Sequence, residues 1–330
     1  MQTLAFAEAV AARHDGFMAF LQEDVPPRGV AQDVMPGIRR VVADNPGVMT
    51  YHGTNSFLIE EADGLTVIDP GPKSLAHTED ILRAAGDVPV LRILLTHSHA
   101  DHWGGVADLQ ARTGAPVAAY AVSARAGFAP DLALNDGTHI GGFKAVHTPG
   151  HAADHLCYEF YTETGVKVLF SGDHVMSWSS SIVSPPEGDM LDYYRSLEKL
   201  LARDDDVYLS AHGPLLERPR ELVAEMLAHR KARERSILAA LNGRGWSIAA
   251  LAQELYHKTD PMLKAAAQRN VLAHLLKLKA EGRAVEHEPE AELHDDTLVM
   301  AEALSQRFGR GGKEGERLLD DSRRCFALSP

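Results

Sequence analysis

LLTHSHADHWGG, residues 94–105, places His97, His99, Asp101 and His102 within six consecutive positions, after an apolar run and before two glycines. Three imidazoles and a carboxylate so close together are hard to assign to packing, because buried polar groups need partners. A metal ion satisfies such groups, since imidazole nitrogen and carboxylate oxygen are both ligand atoms. The spacing offers His97 and His99 to one point and Asp101 and His102 to another. Gly104 and Gly105 let the chain turn from this loop into a helix.

Working outward, residues from about 45 to 213 read as short strands alternating with loops and helices. NSFLIE, LTVIDPG, VLRILLTH, PVAAY, KAVHTPG, HLCYEFY, VKVLFSGD and DVYLSAH are apolar or alternating runs rich in β-branched and aromatic residues. Several end in polar residues: Asp69, His97, His151, Asp173 and His212. Side chains gathered at strand ends and in the following loops are how α/β scaffolds build sites. The apolar spacing predicts helices over 76–86, 104–113 and 189–203.

His151 in TPGHAADH, Asp173 in SGDH and His212 in SAHGP add three donors to the first four. Five histidines and two carboxylates exceed the roughly three or four protein ligands of one zinc site. They suit two metals if one carboxylate bridges. Imidazole with carboxylate and no thiolate favours zinc, two ions per chain, with manganese or iron also accommodated. His14, His52, His77, His139, His229, His257, His274 and His287 read as structural. His155 and His174, beside ligands, either support them or act in substrate contact and proton transfer.

The set resembles the metallo-β-lactamase superfamily, whose HxHxDH signature is read here as His97, His99, Asp101 and His102, over a span of about 48–216. The resemblance implies His97, His99 and His151 on one metal, Asp101, His102 and His212 on the other, and Asp173 bridging. GTNSFLIE and VIDPGP resemble the family's opening strands, with Asp69 orienting a ligand or the loop. The fold implied is α/β, an αββα metallo-β-lactamase sandwich with the site at one edge.

Two adjacent divalent ions lower the pKa of a shared water and polarise the group it attacks. The expected reaction is therefore hydrolysis of an ester-like bond by a metal-bridging hydroxide, with Asp101, His155 and His174 as the catalytic candidates. The ligands alone do not choose among phosphodiester, thioester and lactone substrates. A β-lactamase or a glyoxalase-II-like thioesterase is an alternative. Another is a nucleic-acid-binding or regulatory module with a mainly structural metal core, although a structural zinc needs only about four closed ligands.

After Pro214 the texture changes. Residues 219–241, 247–256 and 261–281 read as three helices and GRAVEHE as a short strand, which suggests a small winged-helix module. This order resembles the branch of the superfamily that holds the LACTB2-type hydrolases, some of which cut single-stranded RNA. The domains expected are 1–216, catalytic with an N-terminal helical extension; 217–290, winged-helix-like; and 291–330, a tail with one helical pattern at 295–308. His229, Arg230, Arg233 and Arg235, with Lys264, Arg269, Lys277 and Lys279, can present cations to an anionic substrate or form solvated helix faces. The module can equally cover the cleft or make a homodimer contact.

Charge bears on the partner. The chain of 330 residues carries a net charge of −13, while residues 217–288 carry about +4. That balance argues against nucleic-acid binding over the whole surface, leaving a small ester-like substrate or single-stranded RNA in a locally basic cleft. Cys157 and Cys325 are too few and too far apart for a disulfide framework, so a cytoplasmic setting is expected. No run reaches the ~20 apolar residues of a membrane span, and the N-terminal stretch reads as an amphipathic helix, not a signal peptide.

Overall fold

The computed structural model describes residues 20–242, 244–257, 263–287 and 320–329. These fall into two compact units: one of residues up to Ser181 together with Asp192–Ala228, the other of Ile182–Leu191 together with residues from His229 onward.

The first unit is built on two sheets. Strands β1 (Gln32–Met35), β2 (Ile38–Val42), β3 (Asn55–Glu61), β4 (Gly64–Ile68), β5 (Val90–Leu94), β6 (Val117–Tyr120) and β7 (Leu132–Leu134) follow one another in chain order across a seven-stranded sheet. The first four are antiparallel neighbours, whereas β4 to β7 run parallel. Parallel strands require crossovers. Helix α1 (Leu75–Ala85) makes the first, and α2 (Ala100–Trp103) with α3 (Val106–Thr113) the second. Ser74 starts α1 by accepting the His77 N–H, and Gly86 ends it with φ +62.

The second sheet is ordered β13-β12-β11-β10-β9-β8, from β8 (His139–Ile140), β9 (Phe143–His147), β10 (Leu156–Tyr161), β11 (Lys167–Gly172), β12 (Val207–Ser210) and β13 (Leu216–Glu217). Helix α4 (Met190–Leu201) runs alongside it, Ser196 donating to Pro149 O and Lys199 to His147 O.

The period-2 alternation of the strands separates two apolar layers. Phe57, Ile59, Ile68 and Leu94 meet Phe143, Leu156, Tyr158, Val168 and Phe170 between the sheets. The intervening residues Leu58, Val67 and Ile93 turn the other way, onto Ile81 of α1 and Val106 and Leu109 of α3. Each such side chain stabilises by about 1.5–3 kcal/mol when fully buried. Tyr158 OH donates to Leu95 O at 2.6 Å, Leu156 N–H to Thr96 O at 2.7 Å and Asn55 N–H to Ala211 O at 2.7 Å. These bonds pin the sheets together at the edge where β4, β5, β9, β11 and β12 end.

In the second unit, helix α5 (Pro219–Leu241), whose last half belongs here, is followed by β14 (Trp246–Ser247), α6 (Ile248–Leu255), α7 (Lys264–Ala280), β15 (Ala284–His287) and β16 (Cys325–Leu328). Ser247 caps α6 through the Ala250 N–H. Ile237, Leu241, Ile248, Leu251, Val271, Leu275, Leu278 and Phe326 form its core. The three strands pair in the order β14-β16-β15, so Cys325–Leu328, expected within a helical tail, is instead the central strand of this sheet. The helical pattern expected at 295–308 lies outside the described residues. Among the described residues, no helix is long and apolar enough to cross a membrane.

Candidate metal centre

Each donor stands just past a strand end on that one edge. Asp69 follows β4, His97 to His102 follow β5, His151 follows β9, Asp173 follows β11 and His212 follows β12. Folding gathers donors scattered over more than a hundred positions into two groups, His97–His99–His151 and Asp101–His102–Asp173–His212. Within each group the ligand atoms lie within 4.8 Å of one another.

The first group is tight: His99 Nδ1 lies 2.8 Å from His97 Nε2 and 3.0 Å from His151 Nε2. Asp101 Oδ2 lies 3.5 Å from His102 Nε2 and 3.3 Å from His212 Nε2. Asp173 stands between the groups. Its Oδ2 is 3.5 Å from His102 Nε2 and 3.7 Å from His151 Nε2, and its Oδ1 is 3.4 Å from His212 Nε2.

Three features show that the donors fit metal ions. His102 Nε2, His212 Nε2 and Asp173 Oδ1 are buried without a hydrogen-bond partner, although buried polar atoms are almost always paired. In the second group the separations of 3.3–3.5 Å are long for good hydrogen bonds. They match the roughly 3.4 Å between ligands held tetrahedrally at about 2.1 Å from one ion. The opposite ring nitrogens, finally, are engaged. His102 Nδ1–H donates to Asp69 Oδ2 at 2.8 Å, His97 Nδ1–H to Thr96 Oγ at 3.1 Å and His212 Nδ1–H to Gly53 O at 3.2 Å. Such bonds fix the tautomer and leave the inner nitrogen bare as a ligand.

Asp69 organises the β5 loop. It is buried, takes φ +52, and accepts the Thr96 N–H at 2.8 Å and the Thr96 hydroxyl at 2.6 Å besides the His102 ring. His155 and His174, expected as catalytic candidates, are both fully buried. The His155 ring is occupied by protein: Nδ1 meets Thr148 Oγ at 2.9 Å and Nε2 accepts the Asp173 N–H at 3.2 Å. His174 packs on Tyr193, ring centroids 4.6 Å apart, with neither ring nitrogen hydrogen-bonded. Burial, then His151, pulls its pKa down to about 3.

In the metal-free chain, burial and then His102 and His99 hold His97 well below the usual imidazole value. His102 goes the other way: burial opposes its charge, but Asp101, Asp173 and Asp69 raise it. Burial likewise opposes ionisation of Asp173, yet His212 and His102 keep its carboxyl well below the carboxylate range.

Sequence reading did not find Thr96, Gly53 or Thr148. Thr96 directly precedes the histidine motif, which is a usable signal, whereas Gly53 and Thr148 act through contacts that only folding creates.

Comparison with known proteins now defines the class. The metallo-β-lactamase superfamily model matches residues 49–212, and the β-lactamase-associated winged-helix model matches 247–291. The chain is 30% identical over 242 residues to an atrochrysone carboxyl ACP thioesterase of Passalora fulva, covering 70% of this chain and 69% of that one. It is 31% identical over 267 residues to the β-lactamase-like protein 2 homolog of Drosophila melanogaster, covering 74% of this chain and 88% of the relative. The crystal structure of a β-lactamase domain protein from Burkholderia ambifaria shares the fold, with a TM-score of 0.71 at 24% identity over 93% of this chain and 96% of that one. The chain belongs to the metallo-β-lactamase superfamily of metal-dependent hydrolases and carries its associated winged-helix domain.

Proposed function

We propose that the chain is a dinuclear zinc hydrolase that cleaves a carboxylic thioester or a related ester. His97, His99 and His151 would hold one ion, and Asp101, His102 and His212 the other. One observation carries the reading: the Asp173 carboxylate is within 3.4–3.7 Å of donors from both groups. When bound, the ions supply Lewis acidity and a water acidic enough to ionise near neutral pH. Asp101 is the more exposed acid of the second group, its side chain 28% accessible against 10% for Asp173. Burial opposes its ionisation, but His102 and His212 outweigh that and keep it a carboxylate. With the ions bound, Asp101 would hold the proton that the attacking water gives up. Asp69 and His155 orient His102 and Asp173.

Three observations support the acyl substrate. The relative of Passalora fulva is named for thioester hydrolysis. The chain is acidic overall, at −13. Several cations of the winged-helix unit that a phosphate backbone would need are engaged internally. Lys277 pairs with Glu234 and Glu281 at 2.8 Å, Lys279 with Glu286 at 2.6 Å and Arg269 with Asp321 at 2.5 Å, while Arg233 donates to Leu255 O at 3.0 Å. The buried free cysteines Cys157 and Cys325 fit a reducing cytoplasm.

The test is a screen of zinc-loaded protein, alongside Asp101→Asn and Asp173→Ala, against an acyl thioester, a lactone, nitrocefin, bis-p-nitrophenyl phosphate and short single-stranded RNA. Thioester turnover lost in both variants is expected. Turnover of the phosphate compounds alone would overturn the acyl reading, and retained turnover in Asp173→Ala would overturn the dinuclear one.

A further inference from the structure

Strand β6 ends at Tyr120 on the sheet edge that carries Asp69 and the His97–His102 loop, because β4, β5 and β6 run parallel. The loop that follows, residues 121–131, therefore starts at the rim of the metal centre. It is tied to a donor loop. Asp154, buried and three residues after His151, accepts the Ala124 N–H at 2.9 Å and the Ser123 hydroxyl at 3.4 Å. Ser123 Oγ accepts the Arg125 N–H at 3.0 Å. The Phe128 N–H donates to Arg125 O at 3.3 Å and closes a four-residue turn with Gly127 at φ +79. A turn with a left-handed third residue calls for glycine there.

The two ends of this turn grip one ring. Phe128 meets Trp103 edge-on, with centroids 5.9 Å apart at 85°. The Arg125 guanidinium lies 4.2 Å from the centroid of the same ring. Trp103 is the residue after His102, and Asp154, which holds the start of the turn, is three residues after His151, so Arg125 stands on a turn tied to both donor loops. The ring takes up one side of the guanidinium's surroundings, and none of its N–H groups donates a hydrogen bond among the described residues. Arg125 is exposed, and its guanidinium forms no ion pair among the described residues. In the same chain Arg40, Arg92, Arg112, Arg203 and Arg324 all do.

We propose that Arg125 is a specificity-determining anion receptor, reading an oxyanion on the substrate away from the bond that is cut. The proposal rests on the thioester reading above. A guanidinium fork matches a carboxylate or a phosphate in bidentate fashion, and clamping by Trp103 reduces the freedom lost when it binds. A carboxylate on the acyl portion and a phosphate on the thiol leaving group share this chemistry.

The test uses the full-length, metal-loaded protein and its R125Q and R125K variants with two matched pairs of thioesters. One pair is butanoyl and succinyl on the same neutral thiol; the other is butanoyl on pantetheine and on 4′-phosphopantetheine. The wild-type chain is expected to prefer the charged member of at least one pair. R125Q should cut that preference about tenfold or more through KM and not kcat, with partial recovery in R125K. Loss confined to the acyl pair identifies the carboxylate, and loss confined to the thiol pair the phosphate. A second arm titrates the uncleavable thioether analogues of the two charged compounds calorimetrically, where R125Q should weaken at least one by a similar factor. If no thioester is turned over but the calorimetric difference persists, the thioester reading falls and the receptor stands. If R125Q leaves preference and affinity unchanged, or lowers charged and neutral compounds alike, the receptor is overturned whether or not thioesters are cleaved.

Discussion

The backbone N–H of Asp173 donates to Nε2 of His155 at 3.2 Å. With Thr148 on the other ring nitrogen at 2.9 Å, this bond fixes the turn from which the Asp173 carboxylate reaches both donor groups. His155 is thus a positioning residue. His155→Gln is expected to weaken zinc binding about 10- to 100-fold while leaving a folded chain, as read by chelator competition and circular dichroism. Unchanged affinity would remove it from the site's machinery.

Asp69 acts on the other side of the centre, through His102 and Thr96. Asp69→Ala strips three hydrogen bonds from the β5 loop, and the ion that His102 would hold should lose about 10- to 100-fold in affinity. Stepwise metal titration should show the second equivalent weakened more than the first. Equal weakening of both would mean that Asp69 serves the loop as a whole.

Gly172 carries a steric prediction. Its φ is +51, and a Cβ there would lie 2.5 Å from His155 Nε2 and 2.9 Å from Thr96 Cβ. Gly172→Ala should cost on the order of 1–3 kcal/mol in stability and displace Asp173. Denaturant unfolding together with metal content checks both effects, and a fully stable, fully loaded variant would contradict the packing described.

A pH prediction concerns the second unit, away from the metal. His274 is fully buried, and burial pulls its pKa from 6.5 down to about 4 against the opposing pull of Glu234. A lowered folded-state pKa means that the unfolded chain binds the proton first, so its contribution is full above pH 6.5 and is lost as pH falls toward about 4. Protection of the α7 amides, corrected for the intrinsic exchange rate at each pH, should therefore fall across that window by an amount on the order of 1–3 kcal/mol. His274→Gln should flatten the dependence; an unaltered pH profile in that variant would exclude His274 as its source.

Much of the centre was legible because its chemistry is local. His97, His99, Asp101 and His102 sit in one loop, and His151, Asp173 and His212 each end an apolar run, so polarity at a strand end marked them. The β3–β6 strands carried apolar or alternating runs, and α1, α3 and α4 a clear helical periodicity. The hairpin of Gln32–Met35 and Ile38–Val42 escaped notice because QDVMPGIRRVV is short and half polar. Cys325–Leu328 escaped because its partners, Trp246–Ser247 and Ala284–His287, are distant in sequence. The roles of Thr148, Gly53 and Arg125 exist only once loops from separate strands meet, and no spacing rule announces such contacts.

The central claim is that one carboxylate, Asp173, joins two ions into a single reactive centre. X-ray absorption of the zinc-loaded chain tests it most directly. A metal–metal vector at about 3.5–4 Å, absent in Asp173→Ala, is the expected result. A loaded wild-type chain with no such vector, or the same vector surviving in Asp173→Ala, would contradict it.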